Sequence, residues 1–318
     1  MPSRPSVFID GEAGTTGLGI RDRLAALPQV ELRSLPADRR RDPGARLEIM
    51  AQVDLVVLCL PDDAARDSVA MADSLGNAAP RILDASTAHR VHPDWTYGFP
   101  EMLPLQADRI AAARRVANPG CYPTGAIGLL RPLVDAGLVP ADYPIAINAV
   151  SGYSGGGKSM IGAHEQNGGP PFELYALGLE HKHLPEMHLY AGLARRPIFV
   201  PSVGHFRQGM LVCIALYLDM LTGRPSAADL QGVLQARYEG CDLVRVVAPP
   251  PDGKLEPQAL NHTDRLELSV HANEKHRQAV LVARLDNLGK GASGAAVQNI
   301  GLMLGLHQGV GARELADA

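Results

Sequence analysis

Ser6–Leu27 reads SVFIDGEAGTTGLGIRDRLAAL. Five strand-forming residues run into a turn built on Gly11, Gly14 and Gly17, and apolar residues then recur at helical spacing. A strand that passes through glycines directly into a helix is the opening unit of a parallel sheet, because parallel neighbours need a crossover between them. The pattern continues outward. VELRSL (residues 30–35) is a second short strand, ARLEIMAQVDLVVLCLP (45–61) a helix running into an apolar strand, DDAARDSVAMADSLG (62–76) a helix ending on Gly76, and PRILDAS (80–86) a further strand. This alternation predicts an α/β chain that opens with a Rossmann-type parallel sheet.

After Ala117 the texture changes. GAIGLLRPLVDAG (125–137) reads as a helix closed by Gly137. The strands YPIAINAV, PIFVPSV, GMLVCIALYL, DLVRVV, LELSVHAN and QAVLVARLDN follow, several without a long helix between them. That spacing predicts an α+β region with a mixed sheet. The small-residue-rich GASGAAVQNIGLMLGLHQG (291–309) reads as one last helix returning to the first domain. The expected division is 1–117 for a nucleotide-type domain, completed by 291–318, and 118–290 for a catalytic domain that also carries the oligomer contacts.

The 318 residues are 46% hydrophobic with a net charge of −4, and the basic residues form no single stripe, so no nucleic-acid partner is expected. No run of 18 apolar residues suggests a membrane span, and the opening MPSRPSVFID lacks a signal-peptide core. Four cysteines at unpatterned spacing suit a reducing, cytoplasmic setting better than a disulfide framework.

The glycine turn is Gly11-x-x-Gly14-Thr15-Thr16-Gly17, followed by a helix whose first amides and dipole favour a pyrophosphate. Close packing of strand on helix would produce the same turn. Where an NAD site carries an acidic residue about 20 positions on, the sequence reads ELRSLPADRRRD. Arg33 and Ser34 stand there, with Arg39, Arg40 and Arg41 beyond. Guanidinium groups suit a 2′-phosphate and so point to NADP; a solvated basic loop is the plainer alternative.

A second stretch, RRVANPGCYPTGAIGLL (114–130), puts Cys121 behind a glycine and in front of a helix with Pro123 in its first turn. A thiolate there is favoured by the helix dipole, and the reading is a nucleophile. Cys59 and Cys213 lie in apolar runs and read as packing atoms; Cys241 reads as the start of a strand. A thiolate needs a proton-transfer partner, and LGLEHKHLPEMHLY supplies His181, His183 and His188, with Pro185 and Glu186 opening a helix. A metal site of the H-x-H type lacks the usual zinc spacing, and none is expected. His205 is a further candidate, whereas His89, His92, His262, His271 and His276 read as exposed or core-satisfied.

Together GEAGTTG, STAHRVHPDWTYGFPEM, NPGCYPTGAIGLL, SGYSGGGKSMI, EHKHLPEM, FVPSVGHFRQGM and DNLGKGASGAAVQNIGLMLG resemble the N-acetyl-gamma-glutamyl-phosphate reductases of arginine biosynthesis, in particular their shorter second type. The motifs come in family order over nearly the whole chain. Gly301 departs from the pattern, standing where the family carries asparagine. The resemblance implies the aspartate-semialdehyde dehydrogenase fold and NADPH-dependent reduction of an acyl phosphate to an aldehyde. It implies Cys121 as nucleophile, His181 (with His183 close behind) as acid/base, and Glu186 as their orienter. Arg90 would hold phosphate, and Asn118, Ser151, Gly152, Arg207 and Gln208 would line the substrate pocket. Gly11, Gly14, Thr15, Thr16, Gly17, Arg39 and Arg40 would hold NADP, with Asn287, Gly291 and Ala292 near its nicotinamide. The implied partners are the small acyl phosphate and inorganic phosphate, in a homodimer or homotetramer. Rival readings are a reductase of aspartyl phosphate or carrier-bound aminoadipyl phosphate, a cysteine hydrolase, and an NADP-sensing regulator without turnover.

Overall fold

The computed structural model describes residues 4–306. It divides into two compact units, the first comprising residues 4–119 and 292–306 and the second residues 120–291.

The first unit begins with β1 (Ser6–Asp10), α1 (Thr15–Ala25), β2 (Glu31–Arg33), α2 (Pro43–Met50), β3 (Leu55–Leu58) and α3 (Asp62–Asp73). It continues with β4 (Arg81–Asp84), β5 (Thr96–Tyr97), α4 (Gln106–Ala112) and β6 (Arg115–Ala117). The strands form one parallel sheet in the order β2-β1-β3-β4-β6-β5. The chain reverses its direction of winding between β1 and β3, and the glycine turn leaves the end of β1 at that switch, where open α/β sheets bind ligands. Strand alternation sorts the core into two layers. Val7, Ile9, Leu55 and Val57 pack on one face with Ile20 and Leu24, while Phe8, Val56 and Leu58 pack on the other with Met50 and Val69.

The second unit contains α5 (Cys121–Asp135), β7 (Ala146–Gly152), α6 (Gly157–Asn167), β8 (Phe172–Leu174), α7 (Leu184–Tyr190) and β9 (Ile198–Gly204). Then come β10 (Met210–Tyr217), α8 (Ala227–Tyr238), β11 (Val244–Val246), β12 (Leu266–Asn273) and β13 (Gln278–Leu285). Its sheet runs β11-β12-β13-β10-β7-β9-β8. β7–β9 and β11–β12 pair in parallel and the other neighbours antiparallel, so the sheet is mixed, as the strand spacing predicts.

Two details explain how α5 is seated. A Cβ on Gly125 would come within 2.9 Å of a Val212 methyl and 3.2 Å of Ala283, so the bare backbone lets the helix lie close on β10 and β13. Pro132, inside α5, has no N–H to give the carbonyl of Gly128; the Tyr238 hydroxyl of α8 donates to that carbonyl at 2.8 Å.

The last helix, α9 (Gly294–Met303), belongs to the first unit, where Val297, Ile300 and Met303 join the core of β1 and β3. It is shorter than its sequence suggests. A π-helical turn, Gly289–Ser293, precedes it, and residues 307–309 of the expected helix lie outside the described residues. Cys59 packs against the core of β1 and β3 as expected, although β3 ends at Leu58. Cys241 differs from expectation: Gly240, at φ 75°, reverses the chain after α8, and Cys241 lies in that connection three residues ahead of β11. No described helix is long and apolar enough to cross a membrane.

Candidate active site and nucleotide loop

Cys121 is the first residue of α5, with Gly120 as an N-cap that has no side chain to offer the helix amides. Pro123 has no N–H, so of the first three helical residues only Cys121 and Tyr122 carry amide donors. The Gly120 N–H donates to Glu186 Oε2 at 3.1 Å, and Glu186, at the head of α7, is buried. Glu186 therefore braces the turn that carries the thiol, a direct link that its expected role as orienter of the histidines did not include.

Both histidines reach this region. Half-buried His181 packs against Tyr122, Tyr175, His183 and Phe199, with ring centroids 4.8–6.0 Å away. The His183 amide donates to His181 Nδ1 at 3.1 Å, so a neutral His181 carries its proton on Nε2. His183 is buried as the residue before α7. Beneath them a directed chain runs inward. Tyr122 donates to the Ser202 carbonyl at 3.2 Å, so the 3.1 Å contact between the two phenols has Tyr175 as donor. Burial, and then the nearby Tyr175 and Cys121, push the Tyr122 phenol up; burial chiefly pushes Tyr175 up to about 12. Both phenols stay neutral at any working pH.

Four of the five residues expected to line the pocket, all but Asn118, lie in one region of the second unit. Ser151 and Gly152 lie against the turn of Arg207 and Gln208, where Gly152 donates to the Gly209 carbonyl and Ser154 to that of Arg207, each at 2.9 Å. Asn287 accepts the Gly209 N–H at 2.8 Å and donates to Ser154 Oγ at 2.9 Å; Gln208 donates to Asp286 at 2.9 Å. Asn287 and Gln208 thus tie three loops together, while Arg207 is exposed and ion-paired with Glu165. A Cβ on Gly291 would lie 2.8 Å from Cys121 Cβ, so the glycine expected near nicotinamide also backs the thiol. His205 bonds His164 at 3.0 Å between Nδ1 atoms, beside Arg207. Among the described residues no group of three or more His, Cys, Asp or Glu is arranged to hold a metal.

The first unit holds the rest. Gly11 has φ 88°, and a Cβ there would sit 2.3 Å from the Cys59 carbonyl oxygen, so the turn after β1 requires glycine. Gly14 is the N-cap of α1, and Thr15, Thr16 and Gly17 form its first turn. This geometry fits a pyrophosphate. Arg39 is exposed, and Arg40 turns back to Glu12 at 2.6 Å. Asn118 donates to the Ala292 carbonyl at 3.1 Å and accepts from Asn299 at 3.0 Å. Arg90 is buried at the end of a turn braced by two carboxylates. Asp84 accepts Ser86 N–H and Oγ–H at 2.8 Å and meets His89 Nδ1 at 2.6 Å; Asp62 accepts Thr87 N–H at 3.0 Å. His89 stacks on Trp95 at 4.2 Å, which makes it a core-satisfied histidine.

Comparison with known proteins agrees with this geometry. The semialdehyde dehydrogenase dimerisation domain matches residues 121–287, and the NAD-binding domain of the same group matches residues 38–110. An N-acetyl-gamma-glutamyl-phosphate reductase from Brucella ovis is 53% identical over 310 residues, 95% of this chain and 99% of that protein. The chain belongs to the N-acetyl-gamma-glutamyl-phosphate reductase family. A protein of the same name from Brucella suis biovar 1 matches equally, at 53% identity over the same shares. Among solved structures, aspartate semialdehyde dehydrogenase II from Vibrio cholerae shares the fold at a TM-score of 0.71 and 16% identity, covering 96% of this chain and 99% of its own. The Candida albicans enzyme with NADP does so at 0.64 and 16%, covering 95% and 98%. The chain is thus an oxidoreductase of the semialdehyde dehydrogenase type with a nucleotide-binding Rossmann sheet.

Two features escaped sequence reading. Glu12 lies inside the glycine turn, not at the end of β2 where an acidic residue is sought. The brace from Glu186 to Gly120 spans 66 positions, and no local pattern marks it.

Proposed function

We propose that the enzyme reduces N-acetylglutamyl 5-phosphate to N-acetylglutamate 5-semialdehyde with NADPH, releasing phosphate by way of a thioester on Cys121, as a step of arginine biosynthesis. The observation that carries this reading is the thiol on the first residue of α5, with His181 packed beside Tyr122 and Glu186 bracing Gly120. The first unit is read as the NADP-binding domain and the second as the catalytic one. The glycine turn and the start of α1 would hold the pyrophosphate, and Ser34, Arg39 and Arg40 the 2′-phosphate. The bound cofactor supplies hydride.

The Cys121 sulfur attacks the acyl carbonyl carbon, and the helix-start amides of Cys121 and Tyr122 receive the oxyanion. The carbon–oxygen bond to phosphate breaks, and Arg90 is assigned the departing anion. Hydride supplied to the thioester carbon would leave a thiohemiacetal oxyanion on Cys121, and its collapse would break the carbon–sulfur bond, release the aldehyde and return the thiolate. The reduction consumes one proton. His181 is assigned this proton: as an imidazolium, a form in which Nδ1 no longer accepts from the His183 amide, it would give its Nε2 proton to the leaving phosphate and regain one from solvent. Ser151, Gly152, Asn118 and Arg207 are assigned to the substrate, with Gln208, Asn287, Gly291 and Ala292 shaping the site around it.

The second-unit sheet also leaves one face open. Tyr217 is 58% exposed and Val280 39%, with Ala215 directly across from Val280. These exposed apolar side chains support a homo-oligomer in which a second copy of the chain covers the face, and light scattering of Tyr217→Arg tests it. The four cysteines are free thiols, which supports a cytoplasmic setting. The activity is tested by running the reaction backwards with NADP⁺ and phosphate on N-acetylglutamate 5-semialdehyde, aspartate semialdehyde and an aminoadipate semialdehyde. Turnover confined to the first, and lost in Cys121→Ala, is expected; preference for another aldehyde overturns the substrate.

A further inference from the structure

Glu12 is a charged side chain that the mechanism does not use, yet its surroundings are built. It sits directly after Gly11, is 5% exposed, and gathers three partners from three separate segments. Its Oε1 lies 2.6 Å from Arg40 Nη2, on the turn after β2. Its Oε2 lies 3.3 Å from Arg21 Nη1 on α1 and accepts the Ser34 hydroxyl at 2.9 Å. The Arg40 contact is an ion pair whose angles do not make it a hydrogen bond, so Oε1 keeps unused acceptor capacity inside the turn. Arg40 and Arg21 are each about two-fifths exposed at the side chain, so the basic ends of this cluster face solvent while the acid lies underneath.

Ser34 and Arg40 are the groups at the end of β2 to which the proposed function assigns a 2′-phosphate, and both are already engaged by a carboxylate. We propose that Glu12 is a cofactor-specificity residue: its buried carboxylate occupies Arg40 and Ser34 and holds down the affinity of this patch for a 2′-phosphate. The inference rests on the NADP reading and adds a competitor to it. A phosphate monoester that enters must share Arg40 and Ser34 with a fixed negative charge, whereas a 2′-hydroxyl meets no such repulsion and can itself donate to Oε1. Removing that charge at constant shape should therefore favour the phosphorylated cofactor selectively.

The test is direct binding by calorimetry, with no turnover involved. The probes are 2′,5′-ADP against 5′-ADP, and NADPH against NADH, in wild type and Glu12→Gln. The expected result is a rise of about tenfold in the preference for the 2′-phosphorylated member of each pair, the size a single charge at this range has in a half-exposed site. 5′-ADP affinity should stay within twofold and report an intact fold. The gain should vanish when Arg40→Gln is added, because it acts through Arg40. Glu12→Asp, which keeps the charge but shortens its reach, carries the test if the glutamine variant does not fold, and should give a rise of a few-fold. An unchanged or reduced preference in these variants overturns the proposal, the reduced case showing that Glu12 builds the phosphate site instead. A wild type with no 2′-phosphate preference that gains one in Glu12→Gln would sustain the proposal and sink the NADP reading. Absence of any preference in both would sink the two together.

Discussion

Gly291→Ala offers a quantitative test of how the thiol is positioned. The added methyl carbon would lie 2.8 Å from Cys121 Cβ, 3.3 Å from Cys121 Cα and 3.1 Å from the Asp286 carbonyl oxygen. Ordinary carbon–carbon contact is about 3.5–4.0 Å, so the shortfall at Cys121 is roughly 0.7–1.2 Å. The turn cannot simply retreat, because the Gly291 N–H is bonded to that same Asp286 carbonyl at 3.0 Å. The first turn of α5 must give way, and it carries the proposed nucleophile. Overpacking of this kind costs about 1–3 kcal/mol of stability. A displacement near 1 Å at the reacting atom costs about a hundredfold in rate. The assay is aldehyde oxidation with NADP⁺ and phosphate, alongside urea unfolding and the rate of Cys121 alkylation. Gly232→Ala on α8 is the control, since nothing lies within 4 Å of its new methyl; it should leave turnover unchanged and add about 0.5–1 kcal/mol. A folded Gly291→Ala enzyme turning over within threefold of wild type would refute the claim that this contact positions the thiol.

Glu186→Ala, which removes the acceptor of the Gly120 N–H, should cost about 1–3 kcal/mol and at least tenfold in kcat, while Glu186→Gln keeps a carbonyl acceptor and most of the stability; equal stabilities for the two variants by urea unfolding would remove the brace. Burial, with Asp84 and then Asp10 adding to it, pushes the Cys59 thiol from 9.0 up to about 12. The unfolded chain therefore ionises first, and this contribution to stability is complete below pH 9 and lost progressively between pH 9 and 12. Cys59→Ala should lose less stability than wild type between pH 8 and 10.5, and an identical loss in both proteins would contradict this. In phosphate-free buffer, aldehyde oxidation should stop after about one turnover per site and resume with phosphate or arsenate; sustained NADPH production without either would exclude an acyl phosphate. Arg90→Lys, which keeps the charge but not the fork, should weaken that phosphate dependence more than cofactor binding.

Local patterns were enough for most of the elements and for placing Cys121 at a helix start. The run from Ser6 to Leu27 specifies strand, turn and helix because a short continuous apolar run, buried on both faces, gives way across the glycines of a tight turn to apolar residues at helical spacing. Cys121 is legible for the same reason: glycine before it and Pro123 after it mark a helix start, and the chemistry of a thiolate at a helix start is a local property. Gly125 and Pro132 show the limit. The sequence displays a glycine and a proline inside a helix, and only the packed sheet and Tyr238 explain why both are tolerated there. The brace from Glu186 to Gly120 and the capture of Arg40 and Ser34 by Glu12 likewise join residues far apart in the chain. Hydrogen bonds and ion pairs act over about 3 Å whatever the sequence separation, so neither pairing leaves a periodic trace. That a thiol stands at a helix start was a matter of local sequence; what braces that turn, and which charges hold Arg40 and Ser34, was decided by the tertiary fold.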